Sequence, residues 1–106
     1  MLNIDAIRNL SRDGKLRWTD HLIERIVKRN ISREDIKSVL MNGEIIEQYP
    51  DDYPYPSCLI LGQANGEGKL HVVCGMGDDE VWMITAYYPD LQEWNDDLMI
   101  RREHKL

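Results

Sequence analysis

Hydrophobic positions follow a helical period through the first 42 residues and an extended period after Glu44. Apolar residues recur every three or four positions in stretches 3–12, 19–30 and 32–42, and this spacing predicts three helices. Thr19 or Asp20 suits the cap of the second helix. The third is bounded by an N-cap residue, Ser32, and by Gly43 as its C-terminal stop. The N-terminal half of the chain is therefore expected to be helical.

The remainder reads as short strands separated by turns. Four segments carry apolar, β-branched or aromatic residues at strand spacing: EIIEQY, SCLILGQA, KLHVVCGM and EVWMITAYY. The turns NGEG and GDD are short, so the last three strands should form an antiparallel meander. LRWT is a brief extended segment before the second helix. After Pro89 the chain is expected to be partly helical and then to end in a polar tail, residues 95–106.

Hairpin geometry predicts which strand residues face one another. If Gly77, Asp78 and Asp79 form the last turn, His71 lies opposite Thr85, and Tyr87 lies diagonally beside His71 on the same face. The same reasoning at the preceding turn brings Cys58 and Cys74 opposite each other. Without a metal-type motif, and in a reducing compartment, the two cysteines are expected to be buried thiols.

The second helix carries a stripe of basic residues between its apolar and solvated sides. At about 100° per residue, His21, Arg25 and Arg29 fall on one slowly drifting line. This line borders the apolar face, so the stripe is expected at the boundary between core and water. Such a position suits a shallow site, although boundary arginines also often simply cover apolar surface.

Composition bounds the class of protein. The chain of 106 residues, with 42% hydrophobic and 30% charged residues, predicts a single domain over residues 1–106. No apolar run approaches the length of a membrane span, and the first ten residues lack a signal-peptide pattern, so a cytoplasmic protein without membrane contact is expected.

The net charge of −6 argues against broad affinity for nucleic acids, but the charge is unevenly distributed. Residues 1–30 carry seven Lys or Arg and four Asp or Glu, a net charge of +3. Residues 31–106 carry six Lys or Arg and fifteen Asp or Glu, a net charge of −9. A local RNA contact near the basic stripe therefore stays open.

The candidate chemistry is phosphodiester cleavage without a metal or other cofactor. His21 and His71 could share acid and base work, Tyr87 could protonate a leaving oxygen, and the arginines could stabilise the charge of the transition state. Each residue also has a structural reading, because strand Thr and Tyr and buried His occur without any catalytic role. The histidines are scattered and neither cysteine stands in a CxxC motif, so no metal site is expected.

The chain resembles a family of small bacterial proteins, the domain-of-unknown-function family 4258. The resemblance rests on WTDHLIERIVKRNISREDIKSVLMNGEIIEQYPDDYPYPSCLILG, KLHVVCGM and ITAYYPDLQEW. That family looks like a branch of the toxin fold shared by RelE, BrnT and MqsR, in which helices pack on a curved antiparallel sheet of four to five strands. The resemblance implies an α+β fold, an RNA-cutting activity and an antitoxin partner. It places on motif positions the residues His21, Arg25, His71, Thr85 and Tyr87, and less closely Arg29.

Two other functions stay open at this point. The acidic surface of residues 44–97, with the aromatic residues of PDDYPYP and with Trp94 taken as exposed, is typical of a non-catalytic protein-interaction module. A small-anion binder with its pocket between helix and sheet is the third reading.

Overall fold

A computed structural model describes residues 1–66 and 68–103 of the chain. The elements, in chain order, are α1 (Ile4–Arg12), β1 (Leu16–Trp18), α2 (Asp20–Lys28), α3 (Arg33–Asn42), β2 (Glu44–Tyr49), β3 (Ser57–Gln63), β4 (Lys69–Gly77) and β5 (Glu80–Tyr87). No helix in these described residues is long and apolar enough to cross a membrane.

All three expected helices form, each with a polar cap at its N-terminus. The Thr19 hydroxyl accepts a hydrogen bond from the backbone N–H of Leu22 and so starts α2. Ser32 and Asp35 exchange side-chain and backbone hydrogen bonds in a capping box that starts α3. Gly43 ends α3, as predicted, although its backbone is extended rather than left-handed. The capping residues therefore set the helix boundaries within one or two positions of those expected.

The strands form one five-stranded sheet in the order β1-β5-β4-β3-β2. This confirms the α+β class and the antiparallel meander of β3, β4 and β5. The sheet is open, curved and mixed, since β1 runs parallel to β5. Four of the five strands are antiparallel, and the segment LRW, expected only to be extended, adds in parallel to the outer edge of the last strand.

The sheet has two differently covered faces. All three helices pack against one of them, here called the helix face, through a continuous apolar core. Alternation along β4 sends Leu70, Val72 and Cys74 into that core and His71 and Val73 to the other side. The core residues that line the helix face include Ile7, Leu22, Ile26, Ile36, Leu40, Ile60, Val81, Met83 and Ala86.

The β4–β5 register differs from the expected one. Only Asp78 and Asp79 form the turn, with φ values of 55° and 59°, so Gly77 pairs with Glu80. A bulge leaves Ile84 without a partner between the pairs Val73–Thr85 and Cys74–Met83. His71 consequently lies opposite Tyr87 and not opposite Thr85, which is two residues away on the same face.

The β3–β4 register is the predicted one. Cys58 pairs directly with Cys74, and both are buried free thiols whose sulfur atoms are 3.9 Å apart. The expected buried thiols are confirmed.

The segment after β5 is not a free tail. Residues 90–103, here called the C-terminal strap, fold back on themselves through a bridge between Trp94 and Arg101. Trp94, expected to be exposed, is only 3% exposed. Apolar Trp94, Leu98 and Met99 among the polar residues explain why this segment packs on the protein. The rest of the expected tail, residues 104–106, lies outside the described residues.

Candidate functional site

His71 is fully buried on the sheet face opposite the helices, and both of its ring nitrogens have partners. Its Nε2 lies 2.8 Å from the carbonyl oxygen of Leu98, and its Nδ1 lies 3.3 Å from the Tyr87 hydroxyl. A carbonyl oxygen can only accept, so Nε2 carries the proton and donates. In the neutral ring Nδ1 then accepts from Tyr87. His71 is therefore held as one defined neutral tautomer.

Two aromatic rings enclose the imidazole. Trp94 of the strap meets the His71 ring edge to face, with centroids 4.5 Å apart, and Tyr87 lies 5.3 Å away. Burial lowers the pKa of His71, whereas the Leu98 carbonyl and the nearby Glu47 carboxylate oppose this shift. Burial raises the pKa of Tyr87, because in both residues it disfavours the charged form. The pair is consequently uncharged near neutral pH.

A largely exposed ion pair fastens the strap beside His71. Arg101 donates two hydrogen bonds, of 3.0 and 3.1 Å, to the carboxylate of Glu47 on β2. Its guanidinium also lies 4.6 Å from the ring centre of Trp94. Tyr49 donates to the same carboxylate. Although burial opposes ionisation of Glu47, the Arg101 and Tyr49 hydrogen bonds leave its pKa below the usual value.

The pKa of Tyr49, which donates to Glu47, shifts upward instead. Burial and the hydrogen bond to Glu47 raise the pKa of Tyr49 to about 12. Sequence reasoning missed Glu47, Tyr49 and Arg101 as neighbours of His71. The alternation of β2 could place Glu47 and Tyr49 on one face, but the bulge between Ile45 and Glu47 and the folded strap have no periodic signal.

Of the basic stripe His21, Arg25 and Arg29, only Arg29 contacts β5 on the sheet face that carries His71. Its Nη1 donates to the Thr85 hydroxyl at 3.1 Å and to the Ala86 carbonyl oxygen at 2.8 Å. It reaches them past the end of β1, which pairs with β5 only as far as Met83. Thr85 shares its sheet face with Tyr87, so Arg29 brings a cation close to the His71–Tyr87 pair.

The structure does not bring His21 to His71. The Thr19 hydroxyl donates to Met83, which fixes the start of α2, whereas Arg29 contacts Ala86 at its end. Eight residues of helix separate His21 from Arg29, or about 12 Å along the axis. In addition, α2 packs on the helix face, on the other side of the sheet from His71. His21 is exposed there.

Arg25 lies one turn before Arg29 on α2 and is half-buried. Among the described residues its side chain makes no hydrogen bond or ion pair with the sheet. The site that the structure assembles therefore consists of His71, Tyr87, Thr85 and Arg29, and the strap covers His71. No group of three His, Cys, Asp or Glu side chains within residues 1–66 and 68–103 could hold a metal ion.

The fold and this site define an α+β domain with a buried His–Tyr pair on the sheet. The family model described as a domain of unknown function (DUF4258) matches residues 18–88, and the chain belongs to that family. No curated protein and no solved structure matches the chain. The matched range contains α2, His71 and Tyr87, whereas α1 and the C-terminal strap lie outside it.

The lowered pKa of buried His71 predicts that the protein becomes less stable under mildly acidic conditions. Its folded-state pKa is lowered, so below about pH 6.5, the ordinary value for His, the unfolded chain takes up a proton that the folded chain refuses. The free energy of unfolding should therefore decrease from pH 7 to 5.5, by at most about 1.4 kcal/mol per pH unit for this group. Urea unfolding at several pH values measures it.

The matched variants for this experiment are His71→Gln and His21→Gln. The His71 variant should show a smaller dependence between pH 7 and 5.5, and the exposed His21 variant should keep the dependence of the wild type. An unchanged dependence in the His71 variant would show that His71 does not cause it.

Proposed function

We propose that this domain is a metal-independent endoribonuclease of a bacterial toxin–antitoxin pair, with His71 as its acid–base residue. The observation that carries the proposal is the hydrogen-bonded His71–Tyr87 pair on the same sheet face as Thr85, which holds Arg29. An imidazole, a phenol and a guanidinium are the groups that RNA cleavage without a metal needs. The resemblance to the RelE, BrnT and MqsR toxins supports the same choice.

The chemistry follows from the protonation states. Once the Tyr87 hydroxyl turns from Nδ1 to the leaving oxygen, Nδ1 of neutral His71 would take the proton of a ribose 2′-hydroxyl, and the 2′-oxygen would attack the adjacent phosphorus. The bond to the 5′-oxygen breaks, and the Tyr87 hydroxyl would donate its proton to that oxygen. The products are a 2′,3′-cyclic phosphate and a 5′-hydroxyl end. Arg29, held by Thr85, would stabilise the negative charge on the phosphate oxygens.

The strap must move before RNA reaches this pair. Trp94 covers the imidazole and the Leu98 carbonyl occupies its Nε2–H. The closed structure therefore represents a resting form, and opening removes Trp94 and Leu98 together. Arg29, the C-cap residue of α2, bonds to β5 and would stay in place when the strap leaves.

The direct test is cleavage of a labelled single-stranded RNA in the presence of EDTA. His71→Gln should reduce the rate by a factor of about 100 or more, the usual contribution of a general base. The matched control His21→Gln should stay within about twofold of wild type because His21 lies on the other side of the sheet. An RNA with 2′-deoxyribose at the cleaved position should resist cleavage.

Two results would contradict the proposal. One is equal cleavage by wild type and His71→Gln, which would indicate a contaminating nuclease. The other is absence of cleavage both by wild type and by Arg101→Ala, which weakens the attachment of the strap to β2. Bacterial growth arrest on expression, relieved by His71→Gln and by a co-expressed antitoxin, is the cellular counterpart.

A second candidate is a protein-interaction module without catalytic activity. The full burial of His71 and the satisfaction of both ring nitrogens favour it, because a structural histidine has these features. In that case His71→Gln should lower stability without changing any effect on RNA. The cleavage experiment separates the two candidates.

A further inference from the structure

A small cavity lies on the strap side of the sheet, near the turn between β4 and β5. Its volume is about 130 Å³, well below the roughly 300–1,000 Å³ of pockets for drug-sized ligands. It therefore has room for one side chain or one ring. The β2–β3 loop, residues 50–56, covers one side of it and β5 forms the other. The lining residues are Thr19, Asp52, Tyr53, Pro54, Tyr55, Gly75, Trp82 and Ile84.

The walls are aromatic. Tyr55 and Trp82 lie with ring centroids 5.5 Å apart, and Tyr53 is 96% exposed at the rim. Glycine at position 77 allows Tyr55 to lie flat on β4, since a Cβ there would stand 2.1 Å from its ring. Tyr55 also donates a hydrogen bond to Asp78 across the turn. The cavity is thus fixed by the sheet on one side and by an anchored loop on the other.

The surroundings are strongly acidic. The loop 50–56 and the turn 78–79 contribute Asp51, Asp52, Asp78 and Asp79 and contain no Lys or Arg. Arg17 lies nearby over Trp82, but it is already paired with Glu80 at 3.1 Å. One carboxylate oxygen of Asp52 accepts from Ser57, and within the described chain the other makes no hydrogen bond. A cation entering the cavity would find an acceptor there.

We infer that this cavity binds an arginine side chain presented by a protein partner. The aliphatic stem would pack on Ile84 and Pro54, and the planar guanidinium would stack on Tyr53 and bind Asp52. Arginine fits better than lysine because its plane can stack and bind a carboxylate at the same time. The four aspartates disfavour an RNA strand, whose phosphates they would repel.

The cavity is separate from the His71 site. It meets β4 at Gly75, four residues from His71, which corresponds to about 13 Å along the strand. A partner anchored here would lie on the same sheet face as the strap without contacting His71 directly. The inference does not depend on the proposed ribonuclease activity, because it rests on a different set of residues.

The experiment titrates the ¹⁵N-labelled full chain with blocked peptides Gly-Gly-Arg-Gly-Gly and, in parallel, with Lys, Leu or Glu at the centre. Trp82 donates its indole N–H to Gly77, so its indole signal reports on the cavity, and the signals of Trp18 and Trp94 are internal controls. The Arg peptide should shift the Trp82 signal saturably, the Lys peptide more weakly, and the Leu and Glu peptides hardly at all.

Two variants test the assignment. Tyr53→Ala removes an exposed ring and should weaken Arg-peptide binding by roughly two- to fivefold, the usual effect of one exposed cation–π contact. The matched control Tyr88→Ala lies outside the cavity and should bind like wild type. Three results would each overturn the inference. They are no Trp82 shift with the Arg peptide, equal shifts with the Leu or Glu peptide, and tighter binding of a short RNA at Trp82.

Discussion

Gly43→Ala is expected to cost about 3 kcal/mol or more of the free energy of unfolding. A Cβ at this position would stand 2.6 Å from the carbonyl oxygens of Leu61 and Val39 and 2.8 Å from a methyl carbon of Ile60. Two of these three contacts involve backbone atoms of α3 and β3, which cannot rotate away. Overpacking of a tight site costs about 1–3 kcal/mol and sometimes more, and this site offers no local relaxation.

Thermal unfolding measures the effect. For a domain of this size, 1 kcal/mol corresponds to about 4–8 °C, so the midpoint should fall by about 12 °C or more. The control is Gly66→Ala, where nothing lies within 4 Å of the added Cβ and the change should stay within about 0.5 kcal/mol. If the Gly43 variant melted within 3 °C of wild type, α3 would not approach β3 as closely as described.

Gly43 also shows why sequence reasoning located the helices well. Capping residues act locally, so Ser32 and Gly43 mark the ends of α3 whatever the rest of the chain does. The physical reason for the glycine was not visible, however. It lies in the contact with Leu61, a residue brought close only by the tertiary fold.

The register of the last hairpin depended on a feature with no sequence signature. Turn counting assumes regular pairing, but Ile84 bulges out and the turn uses two residues instead of three. The two deviations together moved the partner of His71 from Thr85 to Tyr87. Because the register moved by two residues, the side chains kept their direction. His71, Thr85 and Tyr87 therefore share one face of the sheet, as the sequence predicted.

The separation of His21 from His71 was not predictable from a helical wheel. The wheel gives the direction of the stripe around α2 but not the sheet face against which α2 packs. Arg29 was the least certain motif position and yet is the stripe residue that contacts Thr85, because only the end of α2 extends past β1. The strap was missed, and part of it was wrongly expected to be helical, because its turns and its bridge follow no sequence period.

Arg101→Ala is expected to make His71 about 1.5- to fivefold more accessible. The variant loses the exposed ion pair with Glu47 that links the strap to β2, worth about 0.2–1 kcal/mol, whereas its contact with Trp94 lies within the strap and does not oppose opening. Each 1.4 kcal/mol changes an equilibrium tenfold, so the open form of the strap should become more populated by the stated factor. Diethyl pyrocarbonate modification of His71, followed by mass spectrometry at pH 7, measures the open fraction without requiring any activity.

Arg102→Ala is the matched control for this experiment. Arg102 bonds to the Leu91 carbonyl oxygen and to Asp96, both within the strap, so its loss does not release the strap from β2. His71 should then be modified at nearly the wild-type rate. Faster modification in both variants would indicate general loosening, and unchanged modification in Arg101→Ala would show that Trp94 and Leu98 hold the strap without it. If the domain cleaves RNA through His71, Arg101→Ala should increase cleavage by the same factor as modification, because both require the strap to leave the imidazole.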